Sequence, residues 1–594
     1  MAEKKEKSSS AKATEDKQIF KVRHSLSHLL ATAVLEKYPE TKLGIGPVIE
    51  NGFYYDFDFK KPISESDLLS LEGKIRELIK EKISFKKKLI TPIQGRKLFK
   101  KAPYKLQLAN ELNKTKKPLS IYISGKFTDL CSGPHVKNTS EINPDAFKLM
   151  SLAGAYWKGS EKNPMLTRIY GVAFGTKKEL EEYLKNEEEA KRRDHRKIGK
   201  EMELFCFDDL VGKGLPLWLP NGTIIKDEIE KLAVEMEEKY GYLRVSTPHL
   251  AKEEMYIKSG HLPYYKDSMY PPMKIDDGTY YLKAMNCPHH HVIYRSKPRS
   301  YKELPLRLAE YGTVYRNELS GTLAGLLRVR SLQMNDAHIY CAKDQIEDEF
   351  KRVLELTLYY FKIFGLNDYS FRLSKWGPKN KDKYVNEPSN WKYSEDILRK
   401  ILKGLKVKFV EASDEAAFYG PKVDVQLKSI VGREETMSTI QLDFAAKKRF
   451  NLTYKDKSGR ENNEIFVIHR APLSTHERFI AFLIEQYAGE FPVWLAPIQT
   501  EILPVSEKQS AYTKQLYEKL RQQNVRVHLS DDNETLGKRI REAELKKIPY
   551  ILVAGERESK SGTVNVRSRR KEQLGEMDFE KFSKDVKKEI EERK

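Results

Sequence analysis

Hydrophobic and polar positions change period several times along this chain, and each change marks a different kind of element. Residues 19–190 mix amphipathic helical stretches with short aromatic strands such as GFYYDFDF at 52–59. A charged helical run, KNEEEAKRRDHRKIGKEMELF at 185–205, reads as a connector into the next domain. From 206 to 493, aromatic and β-branched runs are broken by Gly and Pro. Within them YGTVYRNELSGTLAGLLRVRSLQMNDAHIYC (311–341) predicts two long antiparallel strands joined by a Gly-containing loop. The end of the chain alternates cleanly. TEILPV is a strand, 508–523 a helix, VRVHL a strand, 536–546 a helix, YILVAG and TVNVR strands, and a last helix closes an α/β domain. The result is a multidomain α+β chain: a tail over 1–18, a domain over 19–190, a helical linker over 191–205, a large domain over 206–493 and a small one over 494–594.

Composition narrows the class. No apolar run approaches the ~20 residues of a membrane span, and MAEKKEKSSSAKATEDKQ lacks the apolar core of a secretory signal. That opening predicts a solvated, disordered basic tail. Four Cys in 594 residues argue against a disulfide framework and for a reducing, cytoplasmic setting. The net charge of +21 points to a polyanionic partner, with nucleic acid first among them. There is no internal repeat, no GxGxxG and no P-loop lysine motif.

Candidate chemistry begins at MNCPHHH (285–291), where Cys287, His289, His290 and His291 crowd together. Neighbouring side chains diverge along a strand or loop, and no second Cys lies near enough for a CxxC pair. Any partner must come from far along the chain. His338 in NDAHIYC and His469 in FVIHRAP are candidates, although a lone strand His is more often a satisfied core residue. Strand parity puts Arg328, Arg330, Asp336 and His338 on one side, and Arg316 with Glu318 on the strand before. Burying those charges unpaired would be costly. They form either a wet face laced with ion pairs or a site for a phosphate-bearing ligand and a small charged molecule. A second cluster stands earlier. RHSLSHLL places His24 and His28 on one helical face, and TDLCSGPHV repeats the spacing with Cys131 and His135. By residue type this is a plausible zinc set, but without the Glu of HExxH it is a poor metalloprotease.

MNCP, VYRNE, RVRSLQMNDAHIYC and FVIHRAPLSTHERF, in this order along the chain, resemble the catalytic core of the threonyl-tRNA synthetases, a family of class II aminoacyl-tRNA synthetases. The resemblance runs from about residue 20 to the C-terminus. It implies an antiparallel-sheet catalytic core over 206–493, an α+β editing domain over 19–190 and an anticodon-binding domain over 494–594. It also implies one Zn²⁺ per subunit on Cys287, His338 and His469, with an open position, and no part for the run His289–His291. Threonine's amino and hydroxyl groups can both coordinate zinc, so valine would be refused for a missing bond. By the same resemblance Arg316 holds the ATP α-phosphate, Arg478 the γ-phosphate, and Glu318 lies against the adenine with Arg328 further out. Mg²⁺ accompanies ATP. Asp336 and Tyr419 seat the threonine amino group with Met285 beside them, Gln441 lines the floor, and His261 stands near the terminal ribose of the tRNA. Pro248 matches the first motif, whose helix and strand form a homodimer interface.

Some positions depart from the family pattern. Met334 replaces a frequent Gln, Glu435–Thr436 a frequent Trp–Gln, and Ser474 a frequent Gly. His24, His28, Cys131 and His135 match the editing domain's motifs, together with Lys105 and Asp129. Serine lacks only a methyl, worth ~1–3 kcal/mol, so a second site that hydrolyses seryl-tRNA(Thr) is implied, working without a metal. The ubiquitin-like domain common before the editing domain is expected to be absent, since only about 18 residues stand there. Asn533 and Arg567 match the anticodon-reading positions. The expected function is the charging of tRNA(Thr) with L-threonine at the cost of ATP. The alternatives are a catalytically inactive, synthetase-derived RNA-binding regulator, or a synthetase for another amino acid such as serine. Retention of Arg316, Arg478 and all three zinc donors speaks against the first, and the zinc trio with the editing motifs against the second.

Overall fold

Eight strands form the sheet on which the larger part of the chain is built. In spatial order they are Leu243–Arg244, Leu306–Tyr315, Ser331–Ala342, Ile465–Ala471, Glu434–Asp443, Lys422–Lys428, Tyr369–Lys375 and Phe409–Ser413. The middle six pair antiparallel and the two short edge strands pair parallel. This computed structural model describes residues 2–594 apart from 114–118, 381, 431, 433, 531–532 and 571–572, with side chains from residue 16 onward. The chain divides into two compact units, 1–188 and 189–594.

In the larger unit the helices lie on the sheet through apolar stripes. Helix Ile346–Ile363 opens with Glu347, Asp348 and Glu349, which suit a helix N-terminus, and buries Phe350, Val353, Leu354 and Phe361. Helix Pro220–Lys239 starts on a proline and buries Ile225, Ile229 and Leu232. Helix His476–Tyr487 is capped by Thr475, whose side chain accepts from the Arg478 amide at 3.2 Å, a contact worth about 1 kcal/mol.

Register decides which side chains meet on one side of the sheet. Leu308 lies opposite His338, His338 opposite His469, His469 opposite Gln441, and Gln441 opposite Lys422. These residues form one row across five strands. Behind it, Arg470 is fully buried and bonds Glu237 at 2.6 Å and Asn335 at 3.0 Å, tying the strands to helix Pro220–Lys239.

The antiparallel hairpin is present, but its strands are shorter than the pattern predicts. They stop at Tyr315 and resume at Ser331. Residues between them form a loop closed by the Arg316 amide on the Arg330 carbonyl, at 2.9 Å. Gly325 there has φ +54°, which breaks any extended run. Strand parity therefore does not govern Arg316, Glu318, Arg328 and Arg330. Arg330 turns away, donating to the backbone carbonyls of Glu318 and Lys213.

The C-terminal domain has the sheet order Val527–Leu529, Thr500–Pro504, Tyr550–Ala554, Thr563–Ser568, Gly575–Asp578. Its first three strands are parallel and its last two pairings antiparallel. The last strand has no counterpart in the predicted pattern. Arg526 fastens this domain to the core, reaching Glu228 at 3.0 Å and the carbonyls of Ala496 and Trp494.

The smaller unit packs Leu26, Leu29, Leu30 and Val34 of its first helix onto Phe53, Tyr55 and Phe57 of strand Gly52–Asp58. That helix runs from Ala2 to Lys37, where the pattern expects a disordered tail over 1–18. No Gly or Pro interrupts those residues, so a helix packed from residue 19 onward can propagate backward through Ala, Lys and Glu. A separate three-stranded sheet, Phe85–Ile90, Leu119–Ser124 and Phe127–Leu130, carries Asp129 and leads into the loop of Cys131 and His135, while His24 and His28 stand on the first helix. Where a linker is expected over 191–205, helix Lys177–Arg192 ends, helix His195–Glu201 follows and strand Phe205–Cys206 begins.

Candidate active site and the second cluster

Cys287 opens helix Cys287–Tyr294, with Pro288 in its first turn. On a helix the residues three and four further on share a face. His290 and His291 therefore turn toward the sheet together with Cys287, which a strand or loop would not allow. Cys287, His338 and His469 are all buried, and one donor atom from each lies within 4.8 Å of the others. The supporting hydrogen bonds fix how His338 presents itself. His290 Nε2 stands 3.1 Å from Glu310, and His290 Nδ1 stands 2.8 Å from His338 Nδ1. Glu310 accepts, so His290 Nε2 donates and its Nδ1 accepts from His338 Nδ1–H. His338 Nε2 is left with a lone pair, buried and without a hydrogen-bond partner. A lone pair held by a second histidine and a carboxylate is what a metal ligand requires. His469 is steadied in the same way by Asp443 at 3.1 Å. Burial pushes the Cys287 thiol well up, and Asp336 and Asp443 add to it; a divalent cation would reverse that balance. The donor set fits zinc.

A cavity of about 800 Å³ opens beside this trio. Met285, Asp336, Tyr419 and Gln441 line it together with Arg316, Glu318, Arg328 and Arg478. Tyr419 donates to Gln441 at 2.5 Å and stacks on His469 with ring centroids 4.9 Å apart. Asn286 donates to Asp336 at 3.0 Å. Arg328 pairs with Glu318 at 2.8 Å. Among the described residues no carboxylate pairs with Arg316 or Arg478. Arg316 Nε is buried with no partner, and burial, with Arg316 and Arg328 nearby, lowers the Arg478 pKa. Two guanidiniums without a carboxylate partner on one cavity wall suit an anion between them.

His261 is not on the wall of this cavity. It lines a small one with Cys287, Tyr419 and His469, and its ring nitrogens face Ser259 at 2.8 Å and Met285 Sδ at 3.1 Å. Burial pushes its pKa down to about 3, so the ring is neutral. Of the departures from the family pattern, Met334, Thr436 and Ser474 lie on the main cavity wall and Glu435 does not. Thr436 is engaged with Gln426 at 2.7 Å. Ser474 has φ +54°, the left-handed backbone that favours glycine.

The second cluster is equally compact. One donor atom each from His24, His28, Cys131 and His135 falls within 4.8 Å of the others. Cys131 Sγ lies 3.3 Å from His24 Nε2 and 3.2 Å from His135 Nε2. Asp129 takes Lys105 at 2.5 Å and the Tyr55 hydroxyl at 2.6 Å, with His28 at 3.8 Å. Ser25 holds His135 Nδ1 at 3.1 Å. Burial lowers the pKa of His24, His28 and His135 and pushes Cys131 up to about 11. All six expected residues meet there. In the C-terminal domain Asn533 is exposed ahead of helix Leu536–Leu545, and Arg567 is half-buried on strand Thr563–Ser568.

Spacing alone overlooks His290, Glu310, Tyr55 and Ser25. The pattern Cys287–His290–His291 at i, i+3, i+4 is a helical signature and could have flagged the first.

An antiparallel sheet carrying buried metal donors beside paired phosphate-ready arginines defines a class II aminoacyl-tRNA synthetase core, and residues 272–487 match the family described as tRNA synthetase class II core domain (G, H, P, S and T). Residues 499–589 match the anticodon binding domain, and 119–170 the threonyl and alanyl tRNA synthetase second additional domain. The chain is 46% identical over 572 residues to the threonine–tRNA ligase of Geobacillus sp. (strain WCH70), covering 96% of this chain and 88% of that one. It is 47% identical to that of Staphylococcus carnosus (strain TM300), covering 96% and 87%. Among solved structures it resembles the RNA binding domain of threonyl-tRNA synthetase from Cryptosporidium parvum Iowa II. That likeness has a TM-score of 0.63 at 33% identity, over 66% of this chain and 98% of that one. The chain belongs to the threonine–tRNA ligase family. It is an enzyme whose substrates are threonine, ATP and tRNA, and it carries the editing-associated domain. Nothing supports an inactive RNA-binding regulator. No described helix is long and apolar enough to cross a membrane.

Proposed function

We propose a division of labour among these residues in threonyl-tRNA synthesis. Arg316 holds the ATP α-phosphate while the threonine carboxylate attacks it, and Arg478 clamps the γ-phosphate. The attack forms a carboxyl–phosphate bond and releases pyrophosphate, so cations are needed on both sides of the breaking bond. Mg²⁺ arriving with ATP shares that load. Glu318, braced by Arg328, lies against the adenine, with Gln441 on the floor. Cys287, His338 and His469 would hold a zinc ion, which would supply coordination for the amino and hydroxyl groups of threonine, so that valine, lacking the hydroxyl, would be refused. Asp336, Tyr419 and Met285 shape the rest of the amino-acid pocket. His261 stands near the ribose whose hydroxyl attacks the adenylate carbonyl, giving the ester and AMP. The observation that carries this reading is the unpartnered, buried His338 Nε2 grouped with Cys287 and His469, which line the same cavity as two arginines without carboxylates. ATP–pyrophosphate exchange with threonine, serine and valine tests it. Exchange should be strong with threonine, weaker with serine and negligible with valine, and lost in Cys287→Ser.

The second cluster hydrolyses seryl-tRNA(Thr). Water attacks the ester carbonyl, the acyl–oxygen bond breaks, and the proton passes to the leaving ribose oxygen. His24, His28, Cys131 and His135 orient that water, Lys105 is anchored on Asp129, and no metal takes part. Asn533 and Arg567 read the anticodon. The subunit pairs with a second copy through the first motif around Pro248, where Leu243 on the edge strand is exposed. It works in the cytoplasm. Sedimentation should give twice the chain mass of 69.1 kDa.

A further inference from the structure

The second cluster has fewer free cations than its residue types suggest. Lys105 is buried and committed to Asp129 at 2.5 Å. Burial holds His24, His28 and His135 below the ordinary histidine range, which leaves three neutral rings at pH 7. The 3′ end of an RNA brings a phosphodiester charge immediately before its terminal nucleoside. None of these four groups is left to meet it.

Lys87 is placed to do so. Strand Phe85–Ile90 is an edge of the three-stranded sheet. Lys87 lies opposite Tyr122, and Tyr122 lies opposite Asp129, so one row leads from solvent into the cluster. Lys87 is exposed, and its Nζ donates to the Ser132 carbonyl at 3.1 Å, in the loop between Cys131 and His135. The same ammonium stands 6.0 Å from the centre of the Tyr122 ring, and that ring packs on His135 at 4.4 Å. Among the described residues no carboxylate pairs with Lys87, and an ammonium with one donor in use has two more to offer. Its neighbours Lys86 and Lys88 alternate to the other face. The pleat singles out Lys87.

We propose that Lys87 binds the phosphodiester that precedes the terminal nucleoside of a mischarged RNA, and so positions the ester among His24, His28, Cys131 and His135. This rests on the hydrolytic role proposed for the cluster. Lys87 does not touch the reacting carbonyl. It is a positioning residue whose contribution falls on KM, and only for substrates that carry the phosphate.

The test compares deacylation of seryl-tRNA with that of 3′-O-seryl-adenosine, which has no phosphate, using the full chain as wild type, Lys87→Ala and Lys87→Arg. Lys87→Ala should raise KM for seryl-tRNA roughly five- to tenfold at unchanged kcat, and reduce the slope of log KM against log salt by about one. Lys87→Arg should restore both. Hydrolysis of seryl-adenosine and formation of threonyl-tRNA should be the same in all three proteins. Equal losses on both ester substrates would mean that Lys87 only steadies the Ser132 loop, and would overturn the proposal. No change on either would overturn it too. Failure of the wild type to hydrolyse either ester would instead remove the hydrolytic reading itself, and the proposal with it.

Discussion

Two clusters in this molecule are built from the same residue types, and they differ in what the donor atoms touch. In the larger unit the histidines lean outward on carboxylates. Glu310 holds His290, which holds His338, and Asp443 holds His469, so His338 Nε2 is left free and aimed inward. In the smaller unit the rings rest on neutral oxygens, His24 Nδ1 on the Pro134 carbonyl and His135 Nδ1 on the Ser25 hydroxyl, each at 3.1 Å, while His28 Nδ1 is buried without a partner. Cys131 bonds both His24 and His135, and the one buried carboxylate in the group, Asp129, is taken by Lys105 and Tyr55. Both groups bring their donors within reach of one ion, so the donors by themselves do not tell the two apart. What stands behind the rings separates the two, carboxylates in the larger unit and a neutral carbonyl and hydroxyl in the smaller, and a carboxylate behind a ring strengthens it more as a metal ligand.

The largest test of that contrast is to remove one sulfur from each. Cys287→Ser should take bound zinc from about one per chain to near none and abolish threonine activation, while Cys131→Ser should leave zinc content unchanged and impair only seryl-tRNA hydrolysis. Metal analysis on the two purified variants reads both outcomes. Zinc lost from the Cys131 variant would break the comparison. Next in size, Arg478→Ala should lower pyrophosphate exchange by roughly 10²–10³-fold with zinc intact, because it withdraws charge from the phosphates alone. Smaller again, His290→Ala should weaken zinc binding by about 10–100-fold, as expected when the group behind a ligand is removed; competition with a chromogenic chelator would measure it. The mildest test needs no mutation. The Cys131 thiol, pushed up to about 11 from 9.0, stays protonated as pH rises until it nears that value. At pH 8 its thiolate fraction is about 100-fold below that of an unshifted thiol. Iodoacetamide should thus label exposed Cys206 well before Cys131, and the gap should close toward pH 11. Peptide mass mapping over a pH series follows both.

The parts legible from the chain were those with a local period. Alternation delivered the hairpin, the C-terminal α/β order and the helical face of His24 and His28, because side-chain direction there follows backbone geometry alone. The parts that were not legible depend on where a period stops. Treating 285–291 as strand or loop hides the common face of Cys287 and His290, and extending the hairpin strands through Arg316 and Arg330 assigns Arg330 to a face it does not occupy. The helix over residues 2–18 is the converse: a polar composition resembles a tail, yet lacks any residue that would stop a helix begun downstream. Contacts such as Glu310 with His290 join residues 20 apart on different elements. Nothing local announces them.

The row that runs from Leu308 through His338, His469 and Gln441 to Lys422 has a consequence for how this gene can change. A sheet repeats every two residues, so losing a single codon upstream of position 469 within its strand would swing His469 to the back and bring Arg470 to the front. A substitution there can be partial; a frame-preserving deletion cannot. The exposed tip of the loop between Tyr315 and Ser331, at 319–321, obeys no such rule, and its length can drift while the row stays in step. Variation in this lineage should therefore accumulate as indels in that loop and as point changes alone in the strands.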